Sequence, residues 1–439
     1  MSRCNAILLL CFAFVSSSAF SDDAPSSTTT RARIVGSGGL ESPRPPGEEE
    51  VDPATGLART TVVRPLRDFP QAPGASPSAS PRAPAPPAGG AAPSVPLPGA
   101  AAASAPAPGA VMGSAARGHL ALILPTSSPT LGRLSEAVRQ GFAAAATVAG
   151  HDAPPVDFIA VADEGLALLA ACHNSQGAGA LLVIAAITRD GATALAKSDC
   201  ARQPVLELNE PQVLPPDLPQ NVYTISLSVE QEARQVALMA VADGRRSAIV
   251  ISSASPIARR AQDAFEREWS RAAGEVRRLS YSGNPEDAPA LRVQLDAMPG
   301  DMTFLALEAA DARAVRPYVS ATLPVYATSL SVNPRAESIV NLDLQGVRYV
   351  EMPWFVQPDH PAVMVYPQPA APMSAEQERL YAFGIDAFRL ALHLLRGDAR
   401  RAPLDGVTGR IALESGNAFT RALTPAEVDG GKVIPLRPQ

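Results

Sequence analysis

Cys172 and Cys200 are the residues whose type and spacing point most directly to covalent chemistry. Cys4 and Cys11 fall in a segment that reads as an export signal, so two thiols remain in an exported chain. A disulfide between them is the first expectation. Closing a loop of about 28 residues would contribute roughly 3.5 kcal/mol in the chain-entropy picture. Two free thiols come next. A metal site is the third reading, because His173 follows Cys172 and Asp199 precedes Cys200. Zinc needs a closed four-ligand set, and neighbouring Cys and His on a helix are poorly placed to share one ion, so no metal is expected.

Motifs for catalysis are missing. The chain has no GxSxG elbow, HExxH or GxxxxGK[ST], and Gly177-Ala-Gly179 opens no strand-led dinucleotide fingerprint. The histidines, His119, His151, His173, His360 and His393, are spread over loops, a strand start and a packing helix. Paired carboxylates such as Asp163/Glu164 and Glu286/Asp287 fall at expected helix starts, where negative charge favours the helix dipole. The chain therefore reads as a non-enzyme without a cofactor.

Recognition chemistry remains. Hydroxyl, amide and carboxylate groups stand at the expected ends of strands: Ser127, Ser128, Thr188, Asn209, Glu210, Ser253, Glu308 and Ser329. In doubly wound lobes small molecules bind beyond the carboxyl ends of strands, and helix N-termini there could hold an anionic or amino-acid-like ligand. Ser and Thr at such places serve equally well as caps of the next helix.

Positioning that set requires alternating strands and helices, and the pattern provides them from Gly118 onward. His119 to Leu124 is a continuous apolar run, as for a strand buried on both faces of a parallel sheet. Leu131 to Val148 follows as a helix with Leu134, Val138, Gly141, Phe142 and Ala145 on its buried side. The alternation continues with strands at Val156 to Val161, Ala180 to Ile187 and Pro204 to Leu208, and helices at Glu164 to Cys172 and Asp190 to Lys197. Asn221 to Ser228 reads as a crossing strand into a second set. That set has strands at Ser247 to Ser252, Glu275 to Tyr281, Asp301 to Leu307 and Leu323 to Thr328. Its helices fall at Val229 to Asp243, Ser255 to Gly274, Ala288 to Met298 and Ala310 to Val319. The fold class is α/β, with two doubly wound lobes joined by crossing segments near 221–228 and in 330–400.

A strand through Val347, Tyr349 and Val350 leads into the turn Met352-Pro353-Trp354. A helix from Glu376 to Leu395 then carries Leu380, Phe383, Gly384, Ala387, Phe388, Ala391, Leu392 and Leu395 near one face. Glu378, Asp386, Arg389 and His393 are its expected polar face, and Arg396-Gly397 its stop. The MPW turn, the YAFGIDAFRLA helix and the ending LDGVTGRIALESGNAFTRALTPAEVDGGKVIPL resemble the C-terminal domain of the LppC-type, or LpoA-type, penicillin-binding protein activators. The resemblance runs from about Gly118 to the C-terminus. It implies a type I periplasmic-binding-protein fold and a non-enzymatic regulator of peptidoglycan synthesis, whose partner is a class A penicillin-binding protein. The outer membrane or peptidoglycan would be further contacts.

The rest of the chain supports an envelope setting. Residues 1–21 read as a signal peptide: Arg3, an apolar run from Ala6 to Val15, then small residues, with cleavage before Asp22. Cys11 lies inside that run after Leu8-Leu9-Leu10, so soluble periplasmic export is expected ahead of an outer-membrane lipid anchor. Residues 22–117 hold much of the chain's 44 prolines, with Phe69 as the one aromatic, and read as a disordered Pro/Ala/Ser-rich tether. Leu57 to Leu66 is its one β-branched patch. The folded part is then 118–439. A net charge of −6 with no basic stripe gives nucleic acid nothing to bind.

Two functions follow. A synthase activator would work through an outer surface, whereas a periplasmic solute receptor would use the cleft between lobes. A structural tether is the least specific third.

Overall fold

A computed structural model describes residues 118–212, 218–272 and 274–436. Every described element belongs to the unit Ser104–Gln439. The signal peptide, the tether, Cys4, Cys11 and the Leu57 to Leu66 patch lie outside the described residues.

The first sheet is built from β1 (His119–Leu124), β2 (Val156–Ala160), β3 (Ala180–Ala185), β4 (Val205–Glu207) and β5 (Val222–Thr224), in the order β2-β1-β3-β4-β5. All its pairings are parallel. Its connecting helices are α1 (Gly132–Ala149), α2 (Leu166–Gly177) and α3 (Arg189–Ala196). Every residue of β1 is buried, as an apolar run without alternation requires when helices cover both faces. Leu120, Leu122 and Leu124 join one core cluster, while Ala121 and Ile123 join another behind the sheet.

The chain then crosses through Ile225 to Ser228 into α4 (Val229–Ala242). The second lobe continues with β6 (Ser247–Ser252), α5 (Pro256–Ala272), β7 (Glu275–Ser280), α6 (Ala288–Ala297), β8 (Met302–Ala306), α7 (Ala309–Val315) and β9 (Val325–Ala327). One-turn α8 (Ser338–Asn341) precedes β10 (Val347–Glu351), and α9 (Pro353–Val356) and α10 (Pro361–Met364) lead to α11 (Ala375–Arg396). A three-stranded antiparallel sheet follows: β11 (Leu404–Gly406), β12 (Gly409–Leu413) and β13 (Phe419–Ala422). Finally β14 (Thr424–Asp429) and β15 (Lys432–Pro435) pair antiparallel on the second sheet, whose order is β15-β14-β10-β9-β8-β6-β7. The chain thus passes between lobes after β5, after β10 and after β13. The C-terminal segment thus adds a small third sheet as well as two antiparallel strands at the edge of the second.

Helix α11 returns to the first lobe and packs on α1. Ser374 and Gln377 form a reciprocal capping box at its start, and Gly397, the expected stop, closes it at φ 71, ψ 19. The two helices touch backbone to backbone. A Cβ on Gly141 would sit 1.8 Å from the Tyr381 carbonyl oxygen, and one on Gly384 would sit 2.1 Å from that of Val138. Beside this crossing Phe142 meets Phe388 edge to face at 5.1 Å. The expected polar face differs, because Asp386 is fully buried and Glu378 nearly so. Their partners come from segments distant in sequence, which helical periodicity does not register.

Candidate functional site

The strand-end residues divide into separate groups. In the first lobe, Ser128, Glu164 and Thr188 line a hollow of about 490 Å³ with Gly191 and Asp190. Ser127 is exposed at its side. Thr188 caps α3, its hydroxyl accepting from the Gly191 amide at 3.0 Å. The same residue donates its amide and hydroxyl to Glu164. Asn209 reaches the same turn, donating Nδ2 to the Ile187 carbonyl at 2.8 Å. Glu210 turns toward the crossing segment and accepts from Ser226 Oγ at 2.8 Å and Gln231 Nε2 at 2.9 Å.

In the second lobe, Glu308 accepts from Ser255 Oγ at 2.8 Å. Ser329 donates its amide to Glu232 at 3.0 Å. Ser253 is buried, and its hydroxyl has no partner among the described residues. Of the eight candidates, Ser128 and Thr188 share one hollow, and Asn209 is bonded to the turn beside it. Glu164, read as favouring the start of its own helix, instead serves the N-terminus of the next one, α3.

A second assembly, which no sequence motif announces, lies where the chain crosses between lobes. Arg421 on β13 is almost wholly buried. It donates Nε to the Ser226 carbonyl at 3.0 Å and Nη1 to the Thr408 carbonyl at 3.2 Å. Asp386 on α11 accepts from the Val407 amide (3.1 Å), the Thr408 amide (2.7 Å), the Thr408 hydroxyl (2.7 Å) and Arg389 Nη1 (3.1 Å). Arg379 Nη2 pairs with the fully buried Glu351 at 2.6 Å. Glu378 accepts from Trp354 Nε1 at 2.9 Å and pairs with Arg335. Burial raises the Asp386 carboxyl above its ordinary pKa and lowers the Arg421 guanidinium, against the pull of opposite charges. This network fastens all three crossings: Ser226 on the first, the MPW turn and α11 on the second, and β13 on the third.

Cys172 and Cys200, expected as a disulfide, stand in the structure as free buried thiols in one core cluster behind the first sheet. Cys172 lies within α2, which runs on to Gly177, and does not end the helix as expected. Burial, followed by the neighbouring Cys200, pushes the Cys172 thiol far up. No group of three or more metal-ligating side chains forms among the described residues. Those residues also contain no helix long and apolar enough to cross a membrane.

Known proteins share this architecture. A protein of Chromobacterium violaceum, described as a putative branched-chain amino acid ABC transporter, superposes with a TM-score of 0.61 at 34% identity, over 71% of this chain and 99% of its own. The C-domain of LpoA from Haemophilus influenzae, described as a regulator of PBP1A, matches at a TM-score of 0.59 and 19% identity, over 73% of this chain and all of its own. The penicillin-binding protein activator LpoA of Photobacterium profundum is 24% identical over 335 residues, 68% of this chain and 53% of its own length. The chain thus spans about half the length of the curated relatives it matches. Residues 114–431 match the family described as "LppC putative lipoprotein", and the chain belongs to that family.

Proposed function

We propose that this chain is a non-enzymatic periplasmic regulator of peptidoglycan synthesis that binds a class A penicillin-binding protein and raises its activity. The observation that carries the reading is the family match over both lobes, whose curated relatives are named as penicillin-binding protein activators. The geometry is compatible with it: Thr188, Asn209, Glu210 and Glu308 bond within the chain and the crossings are fastened, which leaves the outer faces free to work. Such a regulator shifts its synthase only by binding the active state more tightly than the inactive one. The export signal in residues 1–21 would deliver it to the periplasm, and the Pro/Ala-rich residues 22–117 would span toward peptidoglycan or the outer membrane.

The test is a pull-down from crosslinked envelopes with the full chain as bait, followed by glycan polymerisation and peptide crosslinking assays on any class A synthase recovered. Recovery together with a raised rate is expected. A recovered synthase whose rates do not change overturns the activator reading.

A solute receptor is the second reading, favoured by the likeness to the Chromobacterium violaceum protein described as a putative branched-chain amino acid ABC transporter. It would use the cleft residues Ser127, Ser128, Thr188, Asn209, Glu210, Ser253, Glu308 and Ser329. Thermal stabilisation by a free amino acid, with no synthase recovered, is the outcome that would select it.

For the cysteines, we propose that Cys172 and Cys200 oxidise to a disulfide during export. The thiols lose two protons and two electrons to an envelope thiol oxidase, before folding buries the pair. Protein purified from the periplasm should then resist alkylation under denaturing conditions until reduced, and take up two labels afterwards. Two labels without reductant would show that the thiols stay free.

A further inference from the structure

Glu164 lies between β2 and α2, yet its carboxylate is bound at the far side of a neighbouring loop. The Ile187 amide donates to Oε1 at 2.7 Å, the Thr188 amide to Oε2 at 2.8 Å, and the Thr188 hydroxyl also to Oε2. Both oxygens are thus held by groups projecting from the entry to α3. The fit is close: a Cβ on Gly191, in the first turn of α3, would lie 2.5 Å from Oε2. The turn that presents these donors is itself strained, since Ala186 sits at φ 63, a left-handed conformation that favours glycine. Asn209 clamps the turn through the Ile187 carbonyl.

These donors form a seat shaped for a carboxylate, at the carboxyl end of a central strand of a doubly wound lobe. That is where this architecture holds its ligands. The seat borders the hollow of about 490 Å³, so a free carboxylate could reach it if the side chain were absent. We infer that Glu164 is an intramolecular ligand: its carboxylate occupies the position that a carboxylate-bearing solute would take, and keeps the first-lobe half of the cleft closed to such solutes. The inference deepens the activator reading by accounting for a binding-protein fold that need take up no solute.

The test is chemical rescue on the full-length chain. Glu164→Ala should unfold at a temperature lowered by about 5 °C in chloride, and recover at least half of that loss in acetate or formate at matched ionic strength, saturably with concentration. Wild type should not respond beyond the chloride control. Glu164→Gln, which fills the seat with a group unable to match its donors, should fall without recovering. An Ala variant that gains nothing from acetate or formate, or a wild type that gains as much, overturns the inference. Should the Ala variant fail to refold in chloride, refolding yield becomes the measure, and equal yields in acetate and chloride count against it. Failure here would leave the synthase pull-down unaffected, and failure of the pull-down would leave the rescue result standing.

Discussion

Replacing Asp386 by alanine is expected to lower the stability of the folded domain by about 3–5 kcal/mol, the range for removing one partner from a buried charged network. The side chain is fully buried and gathers four donors: two backbone amides, a hydroxyl and a guanidinium. Truncation would strand the Val407 and Thr408 amides away from water, each costing about 1–3 kcal/mol when left without a partner. It would also remove a nearby negative charge from Arg421, whose guanidinium is already raised in energy by burial. Backbone contact makes compensation hard, since a Cβ on Gly406 would approach Asp386 Oδ2 to 2.6 Å. The turn is built around this carboxylate. Urea unfolding read at unchanged slope would give the loss directly. Asp386→Asn should fall between wild type and alanine, because it keeps the shape and one acceptor but turns an amide N–H toward donors. A loss below about 1 kcal/mol for alanine would mean that the crossings are held by apolar packing alone.

The sequence shows some of this architecture plainly and hides the rest for identifiable reasons. Strand β6 lies where expected, Ser247–Ser252, because a run buried on both faces is written in consecutive apolar residues. The end of helix α11 is legible, since Arg396-Gly397 is a local signal that needs no partner elsewhere, whereas the capping box of Ser374 and Gln377 sets its start just ahead of the expected Glu376. Asp386 and Glu378 fall on the expected polar face because a helical pattern sorts residues by hydropathy. Their true environment is set by Thr408, Arg335 and Trp354, which the periodicity of one helix cannot reveal. Arg421 meets Ser226 across 195 positions of chain, and no motif records such a pairing. The candidate cleft was legible only as positions. Strand ends identify Thr188 and Ser128, but the bonds each makes depend on loops whose course the pattern does not fix, and so the partners of Glu164, which stands just before α2, are not legible.

Glu207 carries the other large effect, and its sign is opposite to that of Asp386. It ends β4 with its side chain fully buried, and neither carboxylate oxygen has a hydrogen-bond partner among the described residues. Val205 belongs to the cluster behind the first sheet and Leu206 and Leu208 to the one in front. Strand alternation therefore directs Glu207 to the side of Val205, among apolar groups. Burial raises its pKa from 4.5 to about 9. The folded state thus holds a proton that the unfolded chain releases once the pH exceeds 4.5. The stabilising contribution is complete below that value and is lost progressively as pH rises toward 9. By neutral pH the loss from this one group is about 3 kcal/mol. Glu207→Leu removes the titrating group while keeping comparable volume, so it should gain about 2–3 kcal/mol at pH 8 and weaken the fall in stability between pH 5 and pH 8. Glu207→Gln should weaken that pH dependence equally, but with a smaller gain, because a buried amide without partners still costs about 1–3 kcal/mol. Urea midpoints of the three proteins at both pH values separate the cases. A leucine variant less stable than wild type at pH 8, with the pH dependence intact, would mean that the carboxylate is charged and partnered in solution, and that it contributes to the fold as Asp386 does.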